Sequence, residues 1–190
     1  MNRFVLALAL LAAPGCAAAQ GGAAPADTKT IVLLARHAEK ANETDTDPPL
    51  SERGRARAAA LAESLRDARL TGAIVSERLR THQTAGPSLG GIVPDTVSIA
   101  GGIAAHARAV ADRIRSRHAG GTVLVVGHSN TIPAIMTALG AGPLPDLCDA
   151  AYGNLYVMIL AEGGPPRIVR SKFGAPDPPG ADDCPGMRAP

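Results

Sequence analysis

Ile31-Val32-Leu33-Leu34-Ala35 is an unbroken apolar run that ends in Arg36-His37-Ala38-Glu39. A run of this length, bounded by polar residues, reads as a strand buried on both faces. A second run, Val123-Leu124-Val125-Val126-Gly127, is followed by His128. Strands of this kind belong to parallel sheets covered by helices, and in open α/β sheets ligands bind outside the carboxyl ends of the strands. Each run therefore delivers a histidine to the edge where ligands bind. Imidazole is a good nucleophile near neutral pH, and the forked donors of arginine match the oxygens of a phosphate. The two histidines with Arg36 describe a site that holds an anion and attacks it.

Outward from these runs, strands and helices alternate. A strand over 30–35 leads into a polar loop over 36–50, and Ser51 caps a helix over 52–69 with alanine and leucine on its inner face. Ile74-Val75 is a short strand, followed by a helix over 77–85. A third strand is expected over 93–99, weakened by Pro94, which lacks a ladder donor. Then come a helix over 103–118, the strand over 122–127, and a helix from Asn130 to Leu139 with Pro133 in its first turn. Two closing strands, 154–160 and 167–172, flank Gly163-Gly164-Pro165. This order predicts a three-layer α/β sandwich with a mainly parallel central sheet. There is no internal repeat.

Composition narrows the function. The chain has 190 residues, which suits one domain, and only 2% aromatics, so its core is built from aliphatic side chains. A balance of 19 Lys+Arg against 17 Asp+Glu gives no nucleic-acid footprint. Arg53, Arg55 and Arg57, like Arg113, Arg115 and Arg117, read as solvated helix faces. No cluster has metal-ligand spacing, and neither a metal nor another cofactor is expected.

The start of the chain reads as a secretory signal over 1–19. Asn2-Arg3 is a short positive start, Phe4 to Ala13 an apolar stretch, and Ala17-Ala18-Ala19 a small-residue cleavage site. The stretch is shorter than a typical membrane span. Export, to a periplasm, is the expectation. Lipidation at Cys16 is the runner-up, because Ala13-Pro14-Gly15 match a lipoprotein signal poorly; membrane attachment is expected only in that case. Residues 20–29 read as a flexible leader, 30–173 as the domain, and 174–190 as a Pro/Gly-rich tail. In an oxidising compartment Cys148 and Cys184 are expected to pair and fasten that tail, against the alternative of two free thiols.

A third segment makes the pattern specific. Ser76-Glu77-Arg78-Leu79-Arg80-Thr81-His82-Gln83-Thr84-Ala85 begins where the second strand ends. Together with Arg36-His37-Ala38-Glu39, Pro49-Leu50-Ser51-Glu52-Arg53-Gly54 and Val126-Gly127-His128, in that order, it resembles the histidine phosphatase superfamily, in its phosphoglycerate-mutase-like branch. The resemblance covers about residues 30–140 and is to the small, cap-poor members. It implies that His37 attacks phosphorus and becomes a phosphohistidine, while Arg36, Arg80 and His128 surround the transferring phosphoryl group. Asn42 is a further phosphate-binding candidate, although its offset from His37 departs from the family's usual asparagine.

The general acid of the family has no evident counterpart. Residues 100–111 hold no carboxylate, only His106, and Ser129-Asn130 stand where another branch keeps an aspartate. His106, Glu39 and water are the candidates for leaving-group protonation. Glu39 also reads as an ion-pair partner in its loop, and His82 and His118 read as solvated. The resulting expectation is an exported, metal-independent phosphomonoesterase acting on a small phosphorylated substrate. The alternatives are a phosphohistidine protein phosphatase and a non-catalytic anion-binding module.

Overall fold

Side chains of a strand alternate between the two faces of its sheet, and the apolar run after Thr30 supplies both faces at once. In the computed structural model, which describes residues 29–161 and 163–184, this run is β1 (Thr30–Arg36). The expected signal over 1–19, with Cys16, and the leader up to residue 28 lie outside the described residues. Val32 and Leu34 enter one hydrophobic cluster, and Leu33 and Ala35 enter another.

The helices divide accordingly. α1 (Glu52–Leu65) and α2 (Leu79–Ala85) lie over the Leu33 face, contributing Leu61, Leu65 and Ala85. α3 (Ile103–Arg117) and α4 (Thr131–Ala138) cover the Val32 face with Val110, Ile114, Ile132 and Ile135. The remaining strands are β2 (Gly72–Val75), β3 (Asp95–Thr96), β4 (Thr122–Gly127), β5 (Asn154–Leu160) and β6 (Arg167–Lys172). The sheet runs β3-β2-β4-β1-β5-β6. Its first four strands are parallel; β5 and β6 are antiparallel to their inner neighbours. This is the expected three-layer sandwich. Among the described residues no helix is long and apolar enough to cross a membrane.

Local differences from the sequence reading have local causes. The helix expected through residue 69 stops at Leu65, and Arg69 takes a φ of 49°, which a right-handed helix cannot continue. The strand expected over 93–99 shrinks to Asp95–Thr96 beyond Pro94. α2 starts at Leu79, and Arg78 is its extended N-cap residue rather than part of the helix. Arg57 is not solvated: it is 2% exposed and holds Glu39. His118 is likewise drawn in, 3.3 Å from Asp95 and against Gly72.

Two connections place the site. The loop after β1 is closed at its base, where the Ala41 N–H donates to Pro49 O and the Ser51 N–H to Glu39 O, both at 2.9 Å. Ser51 caps α1 by accepting the Gly54 N–H at 3.0 Å. Gly54 faces the loop so closely that a Cβ there would lie 2.2 Å from the Glu39 carbonyl oxygen. That close approach is the physical reason for a glycine after Pro49-Leu50-Ser51. At the other end, Cys148 is disulfide-bonded to Cys184, and Ala181 of the tail is buried.

Gly54→Ala should therefore push α1 away from residue 39. Overpacking of this kind costs about 1–3 kcal/mol, to be read from the urea midpoint at unchanged slope. A midpoint equal to that of the unsubstituted protein would show that the loop yields freely.

Candidate active site

The site begins with strand register. β1 and β4 pair in parallel with Arg36 opposite Gly127, so the next residues, His37 and His128, emerge side by side. The His37 N–H donates to Gly127 O at 2.8 Å, which continues the ladder one step beyond the strand. The two imidazole centroids are 5.2 Å apart, edge to face, and both residues are buried.

The hydrogen bonds assign the tautomers. His37 Nδ1 lies 2.8 Å from the Ala38 carbonyl, which only accepts, so Nδ1 carries the proton and Nε2 keeps a lone pair. His128 Nδ1 faces Arg80 Nη2 at 3.5 Å, and guanidinium only donates. His128 therefore holds its proton on Nε2 and donates it to Ser76 Oγ at 2.9 Å. Thr81 Oγ1 lies 3.1 Å from the same hydroxyl and donates to Arg78 O at 2.7 Å. The Ser76 and Thr81 positions of the second segment thus orient the second histidine. Thr84 Oγ1 accepts the Ala38 N–H at 2.9 Å and ties the first segment to α2.

Two arginines complete the cluster. Arg36 is 5% exposed; its Nη1 donates to the carbonyls of Cys148 at 3.0 Å and Asp149 at 2.8 Å. Its guanidinium carbon lies 4.1 Å above the Tyr152 ring, which also flanks His37 at 6.3 Å. Arg80 is held by Asp47, whose carboxylate accepts from Nη1 at 3.2 Å and from the Leu79 N–H at 3.1 Å. The Nε–H groups of both arginines are buried and have no hydrogen-bond partner among the described residues. Buried donors normally find acceptors. An anion bound between the histidines would bring oxygens to this cationic cluster.

Burial and charge keep both imidazoles neutral. His37 is lowered from 6.5 to about 2, first by burial and then by the charges of Arg36, His128 and Arg80, against the Ala38 hydrogen bond. His128 falls to about 4 by burial, with Arg80, His106 and Arg78 adding to it. A neutral His37 has a lone pair to donate, which a nucleophile requires.

The other expected site residues are placed differently. Asn42 is exposed and turns back on its own loop, accepting the N–H of Thr44 at 3.1 Å and of Asp45 at 2.9 Å. It caps a turn and is not brought to the histidines. Glu39 is held by Arg57 at 2.8 Å and Arg53 at 3.0 Å, which removes it from the candidates for a free proton donor. His106 is 3% exposed, its Nδ1–H donates to Ser98 O at 3.3 Å, and burial lowers its pKa. Asp47 and Tyr152 escaped the sequence reading. Asp47 sits in a polar loop, and Tyr152 in a stretch without regular structure. One signal for Tyr152 was available, since it is one of only two tyrosines in the chain.

The model of the histidine phosphatase superfamily, branch 1, matches residues 32–99. The match takes in His37 and Arg80 and ends before β4, so His128 enters the site through geometry. No curated protein matches the chain. Among solved structures, a SixA from Nakamurella multipartitia is 25% identical, with a TM-score of 0.57 over 77% of this chain and 98% of its own. A mycobacterial glucosyl-3-phosphoglycerate phosphatase is 19% identical, with a TM-score of 0.59 over 78% and 100%. The protein histidine phosphatase SixA in complex with tungstate is 18% identical, with a TM-score of 0.56 over 75% and 96%. The partial superfamily match and these neighbours agree with the observed fold.

The lowered histidines have a consequence for stability. In the unfolded chain they titrate near 6.5. Below that pH the unfolded state binds protons that the folded state refuses, so stability is complete above pH 6.5 and falls as pH drops toward 4. Each histidine contributes up to about 1.4 kcal/mol per pH unit. Urea unfolding at pH 7 and pH 5 should show the loss, and His37→Asn should reduce its slope. Equal stability at the two pH values would contradict neutral, buried imidazoles.

Proposed function

We propose that this chain, a phosphatase of the histidine phosphatase type, hydrolyses phosphomonoesters through a phosphohistidine on His37 and without a metal. The observation that carries the reading is the His37 ring itself. Its Nδ1–H is committed to Ala38, its Nε2 keeps an unprotonated lone pair at neutral pH, and Arg36, Arg80 and His128 stand around it. The Nε2 lone pair forms the N–P bond as the bond from phosphorus to the leaving oxygen breaks. Water then attacks phosphorus, releasing inorganic phosphate and restoring the imidazole. The arginines balance the charge of the transferring group, the role that preorganised donors play in phosphoryl transfer.

The carboxylates at this edge favour one second reading. Glu39 and Asp47 are paired with arginines, Glu77 accepts from Ser98 Oγ and the Ile99 N–H, and the exposed Asp149 lies 3.9 Å from Arg36. An oxygen leaving group is then protonated by water or by His106. A phosphohistidine, whose leaving group is an imidazole, is the substrate class that such a site suits as an alternative. A side-by-side assay of a phosphohistidine peptide and p-nitrophenyl phosphate separates the two.

Export is part of the same proposal. The apolar segment after Asn2-Arg3 and the Cys148–Cys184 pair, which suits an oxidising compartment, support it. A small phosphorylated substrate fits the open edge of the sheet; nucleic acid and, without lipidation at Cys16, a membrane do not enter the reading.

Rapid quenching after labelled substrate should leave phosphate on His37, labile in acid and stable in base. EDTA should leave turnover unchanged. A label on Ser129, or restoration of activity by a divalent ion after EDTA, would overturn the mechanism.

Arg80→Ala should lower kcat more than it raises KM, because the Arg80 contact strengthens as charge builds. Loss of a comparable donor costs about 3 kcal/mol, on the order of a hundredfold in turnover. Steady-state kinetics decide it. An effect confined to KM would place Arg80 in ground-state binding alone.

A further inference from the structure

Arg36 is oriented by residues far away in the chain. Its two carbonyl acceptors belong to Cys148 and Asp149, and the ring beneath its guanidinium to Tyr152. Residues 140–153 contain no helix or strand; the segment is anchored at its ends, where the Leu147 N–H donates to Ser129 O and the Phe173 N–H to Gly153 O, both at 2.9 Å. Two ties from the C-terminal tail add to these anchors.

The first tie is the disulfide from Cys148 to Cys184, with the Cys184 N–H directed at Cys148 Sγ at 3.1 Å. The second is Asp177, whose side chain is 5% exposed. It accepts from the N–H of Tyr152 at 3.1 Å and from that of Gly153 at 2.9 Å. The same carboxylate lies 3.3 Å from Arg57, which in turn grips Glu39 at 2.8 Å, two residues after His37. Chain segments meet closely here. A Cβ on Gly153 would lie 3.1 Å from Arg57 Nη1, Asp177 Oδ2 and Phe173 O alike. Asp177 thus connects the loop beneath Arg36 to the loop that carries His37.

We propose that Asp177 and the Cys148–Cys184 bond are positioning elements of the phosphate site, holding the 148–152 segment so that Arg36 is aimed at the phosphoryl group. The inference rests on the assignment of Arg36 to phosphate. Arginine has many rotamers, and its bidentate match to an anion needs a fixed plane. The carbonyls of Cys148 and Asp149 and the Tyr152 ring set that plane. A displacement of about 1 Å in such a group can cost on the order of a hundredfold in rate.

The test compares Asp177→Ala, Asp177→Asn and Cys184→Ser, with the exposed Asp183→Ala as control. Three quantities are read: melting temperature, kcat/KM on p-nitrophenyl phosphate, and inorganic phosphate affinity by calorimetry. At a temperature well below melting, Asp177→Ala and Cys184→Ser should weaken phosphate binding on the order of tenfold and lower kcat/KM on the order of a hundredfold. Asp177→Asn keeps an acceptor oxygen for Tyr152 and Gly153 and should recover most of the affinity. Asp183→Ala should match the unsubstituted protein. A lower melting temperature with unchanged phosphate affinity and kcat/KM would overturn the proposal, leaving the tail a purely structural brace. If Asp177→Ala does not fold, Cys184→Ser decides: wild-type phosphate affinity and kcat/KM in that variant overturn the proposal. Wild-type protein that binds phosphate but releases none from the ester would overturn the hydrolase reading, while the affinity comparison still judges the tail.

Discussion

The parallel pairing of β1 with β4 is the constraint on which the site depends. It sets Arg36 opposite Gly127 and so brings His37 and His128 out together at one sheet edge. Both strands are buried on both faces, so a slip of one residue would exchange the clusters their side chains fill. The register that packs the core is therefore the register that aligns the histidines. α2 and the closed loop after β1 then approach this edge from one side, and the 147–153 segment from the other.

The electrostatics follow from where the acceptors are. Arg36 is met chiefly by backbone carbonyls, which orient a guanidinium without cancelling its charge. Arg80 has Asp47, and Asp149 stays 98% exposed at 3.9 Å from Arg36. Between the arginines the imidazoles are neutral, because burial and the neighbouring cations disfavour a further charge. One arrangement thus provides an unprotonated nitrogen lone pair and a field that attracts an anion. The fold agrees with the solved neighbours and with the superfamily match over residues 32–99.

The legible part of the protein is the part written in short-range patterns. The apolar runs, the Ser51 cap and the βα alternation depend on neighbours within a few residues, and the described elements follow them. His37, Arg36, Arg80 and His128 were found because each sits at or just past the end of such an element. Asn42 turns back on its own loop, because an asparagine side chain can satisfy its own turn as readily as a ligand. Arg57 was misread because a helix pattern tells which positions face inward only when the inward residues are apolar. Here an arginine faces inward to meet Glu39 and Asp177.

Sequence alone determined the layered α/β architecture, the order of its strands and helices, and the four side chains of the cationic edge. Periodicity and motif order carry that information locally. Only the tertiary structure decided which groups hold those side chains. Arg80 sets the tautomer of His128 and Ser76 receives its Nε2 proton, Asp47 holds Arg80, and Tyr152, Cys148 and Asp149 hold Arg36 from more than a hundred residues away. Contacts of that range join loops with no periodicity of their own. They exist only once the sheet has brought its edges together.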